Sequence, residues 1–179
     1  MNPLKDKHIL LGVCSSIAVY KAADLTSKLV KAGACVKVVM TENAAKLVSP
    51  LIFQTLSKNK VYVSMWENRD EWEVEHVSLA DFAQIFLVAP CSANTLGNFA
   101  NGLAPDFLST CFMASCAKKY VALAMNCNMY NSPAVQKNIK TLKEWGVNFI
   151  EPQCGMLACG KEGIGRLADV DSIISAISE

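Results

Sequence analysis

A cysteine near the C-terminal end lies in an unusual run, Gly155-Met156-Leu157-Ala158-Cys159-Gly160-Lys161-Glu162-Gly163-Ile164-Gly165-Arg166. Four glycines in twelve residues make a poor helix or strand. The run predicts a mobile loop, and a loop that closes over a site often carries function. A thiol placed there can donate a proton, attack a substrate or stay inert. Two other residue types could do chemistry. His76 is one of two histidines; the other, His8, begins a strand and reads as structural. Asn126 directly follows an apolar strand, an awkward place for a carboxamide unless it meets a ligand or caps a helix. Met125 and Met129 beside it read as core filling.

Hydroxyl groups supply the remaining polar chemistry. Ser15-Ser16 opens a helix after the first strand, where free amides and hydroxyls can hold an anion; plain N-capping explains the pair equally well. Ser92-Ala93-Asn94-Thr95 offers two hydroxyls and a carboxamide at a second helix start. Neither G-x-G-x-x-G nor G-x-x-x-x-G-K-[ST] occurs. Two such helix starts side by side suit a phosphate and a polar heterocycle, so a mononucleotide cofactor, flavin included, fits better than a dinucleotide.

These residues need elements to position them. Apolar runs of strand length alternate with helical patterns. His8 to Val13 reads as a strand, and Ala18, Ala22, Leu25 and Leu29 repeat at helical spacing until Gly33. Cys35 to Met40 is the next strand, and Ser49-Pro50 opens a short helix through Leu56. Ala83 to Ala89 is a continuous apolar run, as expected for a strand covered on both faces. Helices follow over Ser92 to Ala100 and Asp106 to Ala117, then a strand from Tyr120 to Met125. Ser132 and Pro133 start a helix that Gly146 ends. Val147 to Ile150 is a short last strand, and Asp169 caps a final helix. This βαβα order predicts an α/β fold, a single three-layer α/β/α domain over 1–179 with a parallel sheet. In such sheets ligands bind outside the carboxyl ends of the strands. The segments Cys14-Ser15-Ser16, Thr41-Glu42-Asn43, Pro90 to Thr95, Asn126-Cys127-Asn128 and the glycine-rich run all follow strands, so five segments converge on one edge.

Composition narrows the function classes. The 179 residues are 52% hydrophobic and 18% charged, with a formal net charge of +1. That allows a large core and gives no strong field for nucleic acid or an anionic membrane. No basic cluster with interleaved aromatics points to nucleic acid, and no apolar run approaches the ~20 residues of a membrane span. The start leads straight into a strand rather than a signal peptide. The eight cysteines therefore read as reduced thiols of a cytoplasmic protein rather than disulfides. Cys111 and Cys116, like Cys154 and Cys159, are not spaced as metal pairs and have no histidine nearby, so no metal site is expected. The acidic stretch from Glu67 to Glu75 reads as a solvated loop.

Four pieces, taken in order, resemble one family, the flavin-containing cysteine decarboxylases, over about Ile9 to Asp169. Ser16-Ile17-Ala18-Val19-Tyr20-Lys21 resembles its first phosphate-loop helix, and Pro90-Cys91-Ser92-Ala93-Asn94-Thr95 its Pro-Ala-Ser-Ala-Asn-Thr motif. Ala124-Met125-Asn126-Cys127-Asn128-Met129 resembles its Pro-x-Met-Asn-x-x-Met-Trp motif. Leu157-Ala158-Cys159-Gly160 through Gly165-Arg166 resembles its substrate-clamp flap, here about 152–168. His76-Val77-Ser78-Leu79 sits where the family has an active-site histidine. Leu123, Tyr130, Cys91 and Leu167 depart from the proline, tryptophan, alanine and methionine usual there.

The resemblance implies a six-stranded Rossmann/flavodoxin-like sheet and FMN at a subunit interface of a homotrimer or a dodecamer of trimers. Ser15, Ser16, Thr41, Ser92, Ala93, Asn94, Thr95 and Ala124 would line the FMN site. Asn126, Met129, Ala158, Cys159 and Gly160 would meet the substrate. His76, Cys159 and Asn126 would be catalytic. The branch most resembled decarboxylates 4′-phospho-N-pantothenoylcysteine in coenzyme A biosynthesis; the ligase domain fused to it in many bacteria has no room in this chain. A plain cysteine carboxylate cannot lose carbon dioxide without an electron sink, which flavin supplies by oxidising the thiol-bearing carbon. In the implied roles Asn126 recognises the carboxylate, Cys159 returns a proton to the resulting enethiolate, and His76 acts as base or positions the substrate. Peptidyl-cysteine decarboxylation shares the Asn126 motif, but the Leu157-Ala158-Cys159-Gly160 flap resembles the coenzyme A branch. Flavin prenyltransferases share Pro90-Cys91-Ser92 but not Ala93-Asn94-Thr95. Non-catalytic phosphatase-regulating relatives carry acidic extensions absent here.

Overall fold

A computed structural model describes residues 3–66, 74–156, 160 and 162–178. Its core is a six-stranded parallel sheet, built from β1 (His8–Val13), β2 (Cys35–Met40), β3 (Val61–Tyr62), β4 (Ile85–Cys91), β5 (Lys118–Leu123) and β6 (Asn148–Ile150). The strand order is β3-β2-β1-β4-β5-β6, so the winding direction reverses between β1 and β4. That reversal opens a crevice at the carboxyl edge.

Period-two alternation divides the sheet's side chains between two layers. Ile9, Leu11 and Val13 of β1 face one core with Val36, Val38 and Leu87. Against it pack Val19, Ala22, Leu25 and Leu29 of α1 (Val19–Lys31), Phe53 of α3 (Pro50–Ser57), and Val170, Ile173 and Ile177 of α9 (Val170–Ile177). Leu10, Val39, Phe86 and Val88 face the other core. There they meet α4 (Glu75–Phe82), α5 (Ala93–Ala100), α6 (Phe107–Ala114) and α8 (Pro133–Glu144) through residues such as Leu79, Leu96, Phe107 and Ile139. Leu25 and Leu29 are almost wholly buried, each burial contributing about 1.5–3 kcal/mol. Among the described residues no buried side-chain nitrogen or oxygen lacks a hydrogen-bond partner.

Several local expectations shift. Ser15 and Ser16 form a turn before α1, which begins only at Val19: the Ser16 carbonyl accepts the Val19 N–H at 2.9 Å. The apolar run expected from Ala83 becomes a strand at Ile85, because α4 extends to Phe82 and Ala83 serves as its C-cap. The helix from Asp106 ends at Ala114, and β5 starts at Lys118 rather than Tyr120. Four elements had no expectation: α2 (Glu42–Leu47), capped by Thr41 Oγ1 accepting the Ala44 N–H at 3.2 Å, the two-residue β3, α4, and the short α7 (Cys127–Tyr130). Ser132 caps α8 as expected, accepting from the Val135 N–H at 3.3 Å. Asp169 stands at the N-cap of α9 but makes no side-chain capping bond; its carboxylate is engaged elsewhere.

The largest difference concerns the glycine-rich run. Its flanks, β7 (Gln153–Met156) and β8 (Glu162–Arg166), pair as an antiparallel hairpin separate from the main sheet. Backbone pairing there outweighs the low strand propensity, and Gly165 at φ 135° permits a close approach to the neighbouring loop.

Candidate active site

The crevice at the β1/β4 reversal holds a cavity of about 620 Å³. Three loops at strand carboxyl ends and the hairpin enclose it. Ser15 and Ser16 come from the turn after β1, Ser92 and Ala93 from the start of α5, and Ala124, Asn126 and Met129 from the segment after β5. Seven residues that the sequence singled out for cofactor or substrate thus meet around one volume.

Each polar group there has a local reason for its position. Ser16 Oγ accepts the Ala18 N–H at 3.3 Å. Ser92 Oγ accepts the Thr95 N–H and donates to Thr95 Oγ1, both at 3.2 Å, which fixes the first turn of α5. The Ala124 N–H donates to the Cys91 carbonyl at 3.0 Å, joining the loops after β4 and β5. Asn126 is the N-cap of the short α7 (Cys127–Tyr130), its Oδ1 accepting the Asn128 N–H at 2.8 Å. The capping alternative is therefore realised, and it orients the carboxamide beside the cavity. Tyr130, where tryptophan is usual in the resembled motif, donates its phenol to Glu151 Oε2 at 3.2 Å. Burial and then the adjacent Glu151 charge raise its pKa.

The walls also contain residues outside the expected cofactor and substrate set, including Tyr20, Lys21, Met125, Met156, Arg166 and Leu167. Lys21 and Arg166 are its cations. Behind them Asp169 Oδ1 lies 3.7 Å from Lys21 Nζ and 3.5 Å from Arg166 Nη2, while Gln153 Nε2 donates to Oδ2 at 3.0 Å. The Gln153 hydrogen bond, with the two cations, holds the Asp169 carboxyl below its usual range. One carboxylate thus gathers both ends of the hairpin and α1. Lys21 carried a signal: it sits beside Ala22, which faces the core, on the first turn of a helix that leaves the crevice.

Other expected residues stand apart from this cavity. Thr41 is buried and lines a second cavity of about 200 Å³ with Trp66, Asp106 and others. Asn94 is exposed, and Thr95 is buried beneath Ser92. His76 is half-buried in the first turn of α4 and is not among the lining residues, nor is Gly160. Ala158 and Cys159 lie outside the described residues, as does most of the acidic stretch.

In chemical terms the cavity offers hydroxyls and helix-start amides on one side, a carboxamide on another, two cations at the rim and apolar walls from Ile17, Ala93, Met125 and Leu167. Its volume falls in the range of about 300–1,000 Å³ common for cofactor and small-molecule sites. A planar, largely apolar ring with an anionic tail fits this donor set.

Comparison with known proteins agrees. The family model described as Flavoprotein matches residues 2–179. The chain is 47% identical over 173 residues to "Coenzyme A biosynthesis bifunctional protein CoaBC" of Borreliella burgdorferi, covering 97% of this chain and 44% of that relative, so it spans less than half of that protein's length. It is 45% identical to "Probable phosphopantothenoylcysteine decarboxylase" of Streptococcus mutans, covering 97% and 98% of the two chains. Among solved structures, a mutant PPC decarboxylase complexed with pantothenoylaminoethenethiol superposes with a TM-score of 0.85 at 28% identity, over 97% of each chain. "The FMN binding protein AtHal3" gives 0.84 at 29%, over 97% of this chain and 95% of that one.

Proposed function

The chain belongs to the Flavoprotein family, and from that premise we propose that it is an FMN-dependent phosphopantothenoylcysteine decarboxylase. It converts 4′-phospho-N-pantothenoylcysteine to 4′-phosphopantetheine. One observation carries the reading: Ser15, Ser16, Ser92, Ala93, Ala124, Asn126 and Met129 surround a single cavity at the sheet's reversal point, in a chain 45% identical, nearly end to end, to a relative named for that reaction.

FMN, when bound, supplies reversible hydride acceptance, the electron sink that loss of carbon dioxide requires. The chain's own residues do the rest. Ser15, Ser16 and Ser92, with the first amides of α5, hold the anionic tail. Ala93, Ala124, Ile17 and Met125 are small or apolar enough to let a flat ring lie against them. Thr41, Asn94 and Thr95 support this site from its periphery. The Asn126 carboxamide, set by the Asn128 bond, offers an N–H to the substrate carboxylate without a full ion pair that would oppose its loss. Met129 packs on the substrate, and Ala158, Cys159 and Gly160 close over it. Cys159 protonates carbon after decarboxylation, since a thiol with a reference pKa of about 8.5 is mostly protonated at neutral pH. His76 acts as base or positions the substrate, across an interface between copies.

The whole chain works as one flavoprotein domain, with the flap at about 152–168, in a cytoplasmic homotrimer or dodecamer. Among the described residues no helix is long and apolar enough to cross a membrane. The test is incubation of the FMN-loaded protein with 4′-phosphopantothenoylcysteine under mass spectrometry. Loss of carbon dioxide to give 4′-phosphopantetheine supports the reading; turnover only of a peptide ending in cysteine overturns it in favour of the peptidyl branch.

A further inference from the structure

Beneath the floor of the cavity lie two thiols that decarboxylation does not use. Cys14 follows β1 and Cys91 ends β4, on adjacent parallel strands, and both are fully buried. Strict alternation along β4 places Ile85, Leu87 and Ala89 in one core layer and Phe86 and Val88 in the other. Continued, it would send Cys91 with Ala89, away from Cys14. The pairing register shifts between Val88 and Cys91, as when an extra residue bulges a strand, and Cys91 joins Cys14 in the second layer.

The two residues share that layer. The Cys14 N–H donates to the Pro90 carbonyl at 3.2 Å, and the Cys91 thiol donates to the Ser92 carbonyl at 3.6 Å. Neighbouring strands run about 4.8 Å apart, inside the Cα separation of roughly 4.4–6.8 Å that a disulfide spans. The Cys91 thiol's bond ties the pair to Ser92, the N-cap of α5, whose side chain accepts the Thr95 N–H. Burial raises the Cys14 thiol, but the hydrogen bonds from Cys91, Thr95 and Ser92 outweigh it and bring its pKa below the ordinary value. Burial, reinforced by Cys14, holds Cys91 well above it. Of the two, Cys14 is the more readily deprotonated, and the more readily deprotonated thiol of such a pair is the one that attacks.

We propose that Cys14 and Cys91 form an oxidisable dithiol site that a hydroperoxide converts to a disulfide, loosening the Ser92–Thr95 turn above it. The Cys14 thiolate attacks one peroxide oxygen and breaks the O–O bond, giving a sulfenic acid and, after protonation of the leaving oxygen, water or an alcohol. The Cys91 sulfur then attacks the sulfenic sulfur. Its proton leaves with the displaced hydroxide as water, and the S–S bond forms. Overall two thiols are oxidised and one hydroperoxide is reduced. The linked Cys91 sulfur has no proton left to donate to the Ser92 carbonyl, so the turn beside the cavity loosens and ligand retention falls.

The experiment treats FMN-loaded protein with hydrogen peroxide, alkylates it under denaturing conditions and maps the peptides without reductant. The expected result is a Cys14–Cys91 cross-linked peptide pair that dithiothreitol cleaves. With it the FMN dissociation constant rises about tenfold, the loss of one to two hydrogen bonds, and dithiothreitol restores it. Cys91→Ala removes both the cross-link and the peroxide response; Cys91→Ser serves the same arm if the alanine variant does not fold. The proposal is overturned if Cys14 and Cys91 remain fully alkylated at a dose that oxidises the exposed Cys154, or if the cross-link forms with no change in FMN affinity. The affinity arm rests on the flavin reading, whereas the cross-link is read by mass alone. A protein that forms the link yet never binds FMN therefore supports the dithiol site and refutes the flavin reading.

Discussion

Gly165 and Met125 are locked backbone to backbone. The Met125 N–H donates to the Gly165 carbonyl at 2.9 Å, and a Cβ on Gly165 would lie 2.1 Å from the Met125 carbonyl oxygen. The strand that returns from the glycine-rich run thus rests directly on the turn that presents Asn126. The hairpin and the Asn126 turn are positioned as one unit.

Gly165→Ala tests this contact. The clash is with backbone, not with a flexible side-chain end, and φ is 135°, so the turn must shift. The variant is expected to lose about 1–3 kcal/mol of stability and to lower kcat more than FMN binding. Thermal unfolding with single-turnover kinetics separates the two effects.

Asn126→Asp sets a carboxylate against the substrate's carboxylate while keeping the cap on α7, since aspartate also accepts the Asn128 N–H. Folding and FMN content should persist, and kcat/KM should fall by about 10²-fold or more. Steady-state kinetics beside flavin absorbance checks this; undiminished turnover removes Asn126 from the site.

Cys159→Ser should still oxidise and decarboxylate the substrate but fail to protonate carbon. Mass spectrometry should find an unsaturated thiol two hydrogens lighter than the normal product. Normal product at the wild-type rate would contradict the donor role.

Asp169 gives a pH dependence. Its carboxyl is held below the unfolded value of about 3.9 by Gln153 first and by Lys21 and Arg166. Its contribution to stability is therefore complete above that value and is lost as pH falls through the lowered folded pKa. Asp169→Asn should be less stable than wild type at neutral pH, with the gap closing on acidification. Denaturant titrations from pH 7 down to pH 2 measure it, and a gap that widens in acid refutes the assignment.

The parallel sheet was legible because its strands announce themselves. Ile85 to Ala89 is apolar without interruption, Val36 to Met40 is broken only by Lys37, and α1 and α8 keep helical periodicity up to clear stop signals at Gly33 and Gly146. Convergence of the serine loops and Asn126 followed from strand ends alone. Less legible were elements whose cause is tertiary. β3 is two residues held by pairing with Val38 and Val39. α4 begins within an acidic stretch, where Lys60 pairs with Glu75. The hairpin forms from glycine-rich chain because its flanks find each other and Met125. The placement of Cys91 was hidden for a different reason: a register shift leaves no compositional trace. Lys21 and Arg166 fall within the motifs of the resemblance, yet only the fold shows that they converge on Asp169.

The two outermost strands carry a further consequence. β3 contributes two residues and β6 three, so the main sheet ends in borders too short to template another chain's backbone. Those borders favour contacts through side chains on helices and loops over pairing along the main sheet. Exposed Ile17, Tyr20, Leu51 and Met113 are among the apolar groups available for such contacts, whose geometry would follow from them rather than from strand-to-strand growth.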